Sequence, residues 1–306
     1  MPFQCTIERP VEVEGVGLHT AVRCRLRLRP APADTGIVFR RVDLDNFEIE
    51  AHGCNVARVS YATSLMKRGV WLSTTEHLLA ALYSCGVDNV YVEMDALEVP
   101  ILDGSSQPFM EMLERAGVRR LRRRRKYLKV VKPLEFSDGD RRIGIYPCEE
   151  FRVRCLIDFP HPMVGRQEIE VLVNRDTFAR MLARARTFCF YDDVERLRAA
   201  GLIRGGSLEN AIVLTRDGVM NGGDASGLRF PDEFGRHKTL DIIGDLALVG
   251  RPLKALVVAH KAGHALHTQL VTRLLADASL WVETTETAPE AAPLRLARSP
   301  APVPAG

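Results

Sequence analysis

Apolar and polar positions alternate over residues 22–29, where Val22, Cys24, Leu26 and Leu28 interleave with Arg23, Arg25, Arg27 and Arg29. A period of two predicts a half-buried strand, ended by Pro30 and Pro32. Residues 89–94, 141–146, 151–159, 210–215 and 254–260, rich in Val, Ile, Leu and aromatics, also predict strands. Start and stop signals predict helices over residues 73–85 (closed by Gly86), 108–116 (Gly117), 175–185 and 193–200 (Gly201). Two more are predicted over 231–249, stopping at Gly250, and over 264–276, with Leu266, Leu270, Leu274 and Leu275 on one side.

Both halves therefore mix sheet and helix, an α+β pattern. The 306 residues suggest two domains, at roughly 100 to 200 residues each. A dense basic run (Arg119, Arg120, Arg122, Arg123, Arg124, Arg125, Lys126) separates the halves and reads as a solvated linker. Its other reading is attraction to phosphates or to an anionic membrane surface at the periphery. The expected units are 1–121 and 122–282, followed by a Pro- and Ala-rich segment, 283–306, expected to be disordered.

Composition narrows the class. Hydrophobic residues at 46% and charged residues at 26% fit a globular protein, and a net charge of +3 gives no argument for nucleic acid. The seven cysteines are odd in number and lack CxxC spacing, so neither a disulfide framework nor a thiolate zinc cluster is indicated and a reducing cytoplasm is expected. The N-terminal residues lack an apolar signal core, and no run of 18 apolar residues occurs, so neither secretion nor a membrane span is expected.

Three stretches carry candidate chemistry. In Ser73-Thr74-Thr75-Glu76-His77, Ser73 and Glu76 fit an S-x-x-E capping box, so Glu76 alone has a structural explanation, and His77 alone reads as a partly buried histidine. On the helix from Pro231, His237 and Asp241 stand four apart with Asp245 a turn further, all on one stripe. That spacing suits a divalent cation short of one ligand, which His77 can supply. The other reading is a solvent-facing stripe opposite Ile242, Leu246 and Val249, with Lys238 also exposed. In Lys261-Ala262-Gly263-His264, a strand end meets a helix mouth, where Lys261 and His264 would face an anionic group or His264 would cap the turn. Gly205-Gly206-Ser207, Gly222-Gly223 and the segment 15–19 read as turns, with no role evident for His19.

Longer motifs join these fragments. GVGLHT at 15–20, TTEHLLAAL at 74–82, DNVYVEMDALEVPILDGSSQPF at 88–109, RTF at 186–188, GGSLENAIV at 205–213, GLRFPDEFGRHKTLDIIGDL at 227–246 and KAGHAL at 261–266 occur in that order. Over residues 6–275 the chain resembles the UDP-3-O-acyl-N-acetylglucosamine deacetylases of lipid A biosynthesis. The resemblance implies two similar two-layer α/β sandwich domains with the active site between them. It implies Zn²⁺, with Fe²⁺ an alternative in a similar donor set, held by His77, His237 and Asp241. It further implies Glu76 as general base, His264 as general acid, Asp245 as its orienting partner, Thr187 as a hydroxyl polarising the acetyl carbonyl and Lys238 as a substrate contact. An insert at about 188–207 would form the acyl passage, with Phe188, Val194, Leu197, Leu202 and Ile203 as lining and Gly206 leaving room.

Three departures stand out: Ala21 follows GLHT where GLHSG is usual, KAGH replaces KSGH at Ala262, and the loop 221–226 is longer than usual. The competing readings are a zinc amidohydrolase for another acylated sugar and a catalytically silent binding protein. A monomer is expected, while the sequence leaves acyl-chain length open.

Overall fold

The computed structural model describes residues 2–57, 59, 61–222 and 227–286. Its helices are α1 (Glu76–Ser84), α2 (Gln107–Ala116), α3 (Arg175–Met181), α4 (Tyr191–Ala199), α5 (Glu233–Leu246) and α6 (His264–Ala276). They accompany two larger mixed sheets. In the first, the strand order is Val11–Val16, Arg23–Pro30, Val90–Met94, Ile37–Arg41, Phe47–Glu50. In the second, Leu134–Asp138, Arg141–Pro147, Leu253–His260, Lys126–Val130 and Trp281–Thr285 lie side by side, and Phe151–Phe159 joins Leu253–His260 to Gly165–Leu172.

Helix α2 packs on the first sheet and on α1, while α5 and α6 pack on each other and on the second sheet. The two sets meet where α1 lies against α5, and the buried apolar residues form one contiguous cluster drawn from both. Apolar burial is the dominant stabilising term, so this shared core holds α1 and α5 in register. No described helix is long and apolar enough to cross a membrane.

The strand expected at 22–29 runs over Arg23–Pro30 with alternating exposed and buried positions. Its outward arginines find carboxylates across the sheet: Arg25 meets Glu14 and Arg29 meets Glu93, each at 3.0 Å. The basic run is a correction. Val118–Arg124 is a strand, antiparallel to Phe3–Ile7, rather than a linker. Arg120 and Arg124 lie over the Phe3 ring, and Arg125 is buried against Asp88 at 2.7 Å. Arginine stems cover apolar surface while their heads stay in water, so a charge run concealed a strand.

Other boundaries also shift. Helix α1 starts at Glu76 because Thr74 sits at φ +59, a left-handed conformation that a right-handed helix cannot contain. Helix α3 ends at Met181, short of the expected 185. Residues 283–285 of the expected disordered segment belong to the strand Trp281–Thr285, paired with Lys126–Val130. Residues 287–306, Gly223 and residues 224–226 of the long loop lie outside the described residues.

Candidate metal centre and active site

The site forms at the contact between α1 and α5. Gly244 has no side chain to hold the helices apart, and a Cβ there would lie 2.1 Å from the Glu76 carbonyl oxygen. Helix α5 is buried on nearly every side, so the solvent-facing reading of its polar stripe fails. His237 and Asp241 are 2% exposed and Asp245 0%.

This contact brings His77 to the α5 pair. Asp241 Oδ1 lies 3.4 Å from His237 Nε2 and 3.7 Å from His77 Nε2, and the two rings meet edge to face at 5.0 Å. One ligand atom from each of the three residues falls within 4.8 Å of the others. His237 Nδ1 donates to the Ala185 carbonyl at 3.0 Å, which leaves Nε2 free to face the cluster. Asp241 Oδ1 is buried without a hydrogen-bond partner. A buried carboxylate oxygen left bare is costly unless a cation satisfies it, and two imidazoles with one carboxylate are zinc-type donors. The residues fit a divalent metal.

The capping-box reading of Glu76 also fails, because Glu76 is the first residue of α1 and makes no cap bond there. Its Oε2 instead accepts from the Thr63 backbone N–H at 3.1 Å. Burial, with Asp245 and Asp241 nearby, raises the Glu76 carboxyl to about 7 against the opposing pull of His264. Across the cleft, His264 Nδ1 donates to Asp245 Oδ2 at 2.7 Å and Nε2 stands 3.9 Å from Asp241 Oδ2. Burial opposes a charge on His264, but Asp245 and Asp241 outweigh it and lift the ring to about 9. Burial and the neighbouring His237 push His77 down to about 3, which suits a neutral ligand. Burial works against ionisation of Asp241 as well, yet His237 and Lys238 hold it well below the usual carboxylate range. Lys238 Nζ donates to Asp241 Oδ2 at 2.7 Å.

Glu76, His77, His237, Lys238, Asp241 and His264 line a cleft of about 230 Å³ together with Thr187 and Phe188. Thr187, Phe188, Leu18 and Tyr61 also line a mainly apolar cavity of about 360 Å³, so the two spaces adjoin. Phe188, Val194, Leu197, Ile203 and Gly206 line that cavity, whereas Leu202 is not in its wall. Lys261 is bound to Asp140 at 3.0 Å and Asp158 at 3.3 Å, outside the cleft lining.

Sequence reasoning missed three residues. Thr63 bonds Asp245 through its hydroxyl as well as Glu76 through its N–H, and His267 Nδ1 also donates to Asp245. Glu98 is 1% exposed and accepts from the backbones of His19 and Thr20 and from the Thr20 and Thr74 hydroxyls. It thus ties the segment 15–20 to the start of α1, and His19 lines the apolar cavity. No spacing rule points to these residues, because their partners are distant in sequence.

A family profile for UDP-3-O-acyl N-acetylglycosamine deacetylase matches residues 4–276. The chain belongs to that family. It is 53% identical over 281 residues to the UDP-3-O-acyl-N-acetylglucosamine deacetylase of Solibacter usitatus (strain Ellin6076), covering 92% of this chain and 94% of that one. It is 47% identical over 274 residues to the enzyme of the same name from Anaeromyxobacter sp. (strain Fw109-5), covering 90% and 89%. With that of Syntrophotalea carbinolica (strain DSM 2380 / NBRC 103641 / GraBd1) identity is 43% over 291 residues, covering 94% and 93%. Against this background the Ala21 departure gains meaning. Ala21 sits at φ +57, where glycine is the unstrained residue.

Proposed function

We propose that this protein hydrolyses the N-acetyl group of UDP-3-O-(3-hydroxyacyl)-N-acetylglucosamine, giving acetate and the free amine, the committed step of lipid A biosynthesis. The observation that carries this reading is the placing of Glu76 and His264 about one His₂Asp cluster in a cleft that adjoins an apolar cavity. His77, His237 and Asp241 would hold Zn²⁺, or Fe²⁺ in the same donor set, and the ion would supply Lewis acidity and a water of lowered pKa.

Glu76 takes the proton of the attacking water, since its raised pKa places the carboxylate near the working pH. The Thr187 hydroxyl and the Lys238 ammonium line the same cleft and would stabilise the oxygen on which negative charge develops. His264, charged because Asp245 favours the imidazolium, gives its proton to the departing nitrogen. The acyl chain lies along Phe188, Val194, Leu197 and Ile203, with Gly206 leaving it room. The units 1–121 and 122–282 are two sandwich domains with this cleft between them. We take the active form to be a monomer, with sedimentation of the purified protein as the check.

The test is deacetylation of the acylated UDP-sugar by purified protein, with chelator, after zinc or iron restoration, and in Glu76→Ala and His264→Ala. Activity indifferent to chelation, or surviving both substitutions, would sink the reading. An enzyme that cleaves short-chain N-acetyl sugars equally well would favour a general amidohydrolase.

A further inference from the structure

Asp245 is 0% exposed and is held by three side chains. Thr63 Oγ1, before the hairpin strand Leu65–Lys67, donates to Oδ1 at 2.5 Å. Oδ2 accepts from two imidazoles, His264 Nδ1 at 2.7 Å and His267 Nδ1 at 2.8 Å. Both rings stand on the first turn of α6, three residues apart, a spacing that brings side chains to one face. His267 is 0% exposed, and the mechanism above leaves it unused.

The chemistry of His267 follows from its surroundings. An ionised carboxylate only accepts hydrogen bonds, so the proton of His267 is on Nδ1. Its Nε2 is buried and has no hydrogen-bond partner. A second proton there would be a buried, unpaired N–H on a charged ring, which is far costlier than a bare lone pair. His267 is therefore a fixed neutral donor. With His264 as its only partner, a carboxylate could rotate about its own axis and carry the imidazole along. Thr63 on one oxygen and His267 on the other remove that freedom.

We infer that His267 and Thr63 are positioning residues that clamp the two oxygens of Asp245, so that the carboxylate offers His264 one fixed acceptor and Nε2 stays aimed into the cleft. The inference rests on the assignment of His264 as the acid. Thr63 also gives its backbone N–H to Glu76, so one short segment sets both the base and the support of the acid.

The experiment uses the zinc-loaded full chain and the variants His267→Leu, His267→Asn, Thr63→Val and Thr63→Ser. Losing a supporting partner of this kind typically costs about 10- to 100-fold in activity. We expect His267→Leu and Thr63→Val to lose kcat on that scale with KM within about twofold. The asparagine amide replaces the Nδ1 donor and serine keeps the hydroxyl, so each recovers most of the loss. Metal content should match wild type throughout. Wild-type kcat in His267→Leu, or equal losses in leucine and asparagine variants, would overturn the role of His267. Should the leucine variant not fold, the valine and serine pair decides the clamp by the same comparison.

A second readout does not need turnover. In ¹⁵N-histidine NMR spectra the His264 Nδ1–H signal should move in His267→Leu and return in His267→Asn, and an unmoved signal would overturn the clamp. Variants that showed this pattern, beside a wild-type protein that left the acylated UDP-sugar intact, would instead remove the proposed function.

Discussion

Gly244 faces the Glu76 carbonyl oxygen so closely that a Cβ on the glycine would lie 2.1 Å from it. The candidate site is assembled at this point, since Glu76 and His77 come from α1 while His237 and Asp241 come from α5. Alanine favours an exposed helix interior by about 1 kcal/mol over glycine, but here the added methyl meets backbone. Forcing such a contact typically costs about 1 to 3 kcal/mol and moves the elements apart. Gly244→Ala should therefore lower the melting temperature and weaken metal retention by at least about tenfold, measured by thermal unfolding and competitive chelation. A stable variant with wild-type metal affinity would show that the helices do not need this approach.

The pH dependence follows from two groups shifted upward for different reasons. Burial raises Glu76 to about 7, and in the proposed mechanism its basic form is the active one, so activity should be lost as pH falls through that value. A bound cation favours the carboxylate and moves this limb lower. His264 is lifted to about 9 by Asp245 and Asp241 against its burial, and in the proposed mechanism its acidic form is the active one, so activity should be lost as pH rises through that value. Asp245→Asn removes a negative charge, so the alkaline limb of kcat should move to lower pH. An unmoved limb in a kcat profile would assign the acid elsewhere.

Much of this fold was readable because its signals are local. The alternation at 22–29, the glycine stops and the four-residue spacing of His237 and Asp241 all depend on near neighbours. What escaped depends on distant ones. The basic strand Val118–Arg124 was hidden because its pairing partner is at the N-terminus. Thr63 and His267 gain meaning only when α5, α6 and the segment before the hairpin meet at Asp245. The buried setting of Asp241 was likewise unreadable from α5 alone, since an amphipathic stripe looks the same whether water or a second helix covers it. The family resemblance gave order to fragments that each had a structural explanation.

Metal removal should be legible in stability as well as activity. Without a cation, Asp241 Oδ1 is a buried carboxylate oxygen with no hydrogen-bond donor. A ligand that binds only the folded state stabilises it by about 2.7 kcal/mol when its free concentration is 100 times Kd. Dialysis against chelator should lower the melting temperature, and zinc should restore it in wild type but not in His77→Ala. An identical melting curve with and without zinc would place the ion elsewhere.

The apolar cavity, as the proposed acyl passage, gives a prediction that scales with substrate length. Leu197 is 5% exposed, lies on α4 and lines the cavity of about 360 Å³, whereas Leu202 lies outside its wall. Tryptophan at 197 would fill the space that methylene groups need. Each methylene kept from burial costs about 0.8 kcal/mol, close to fourfold in binding. In Leu197→Trp, KM should rise more steeply the longer the acyl chain, with kcat on a short-chain substrate little changed. Leu202→Trp should respond far less. If both variants changed KM equally across a series of acyl lengths, the chain would have to lie along another surface.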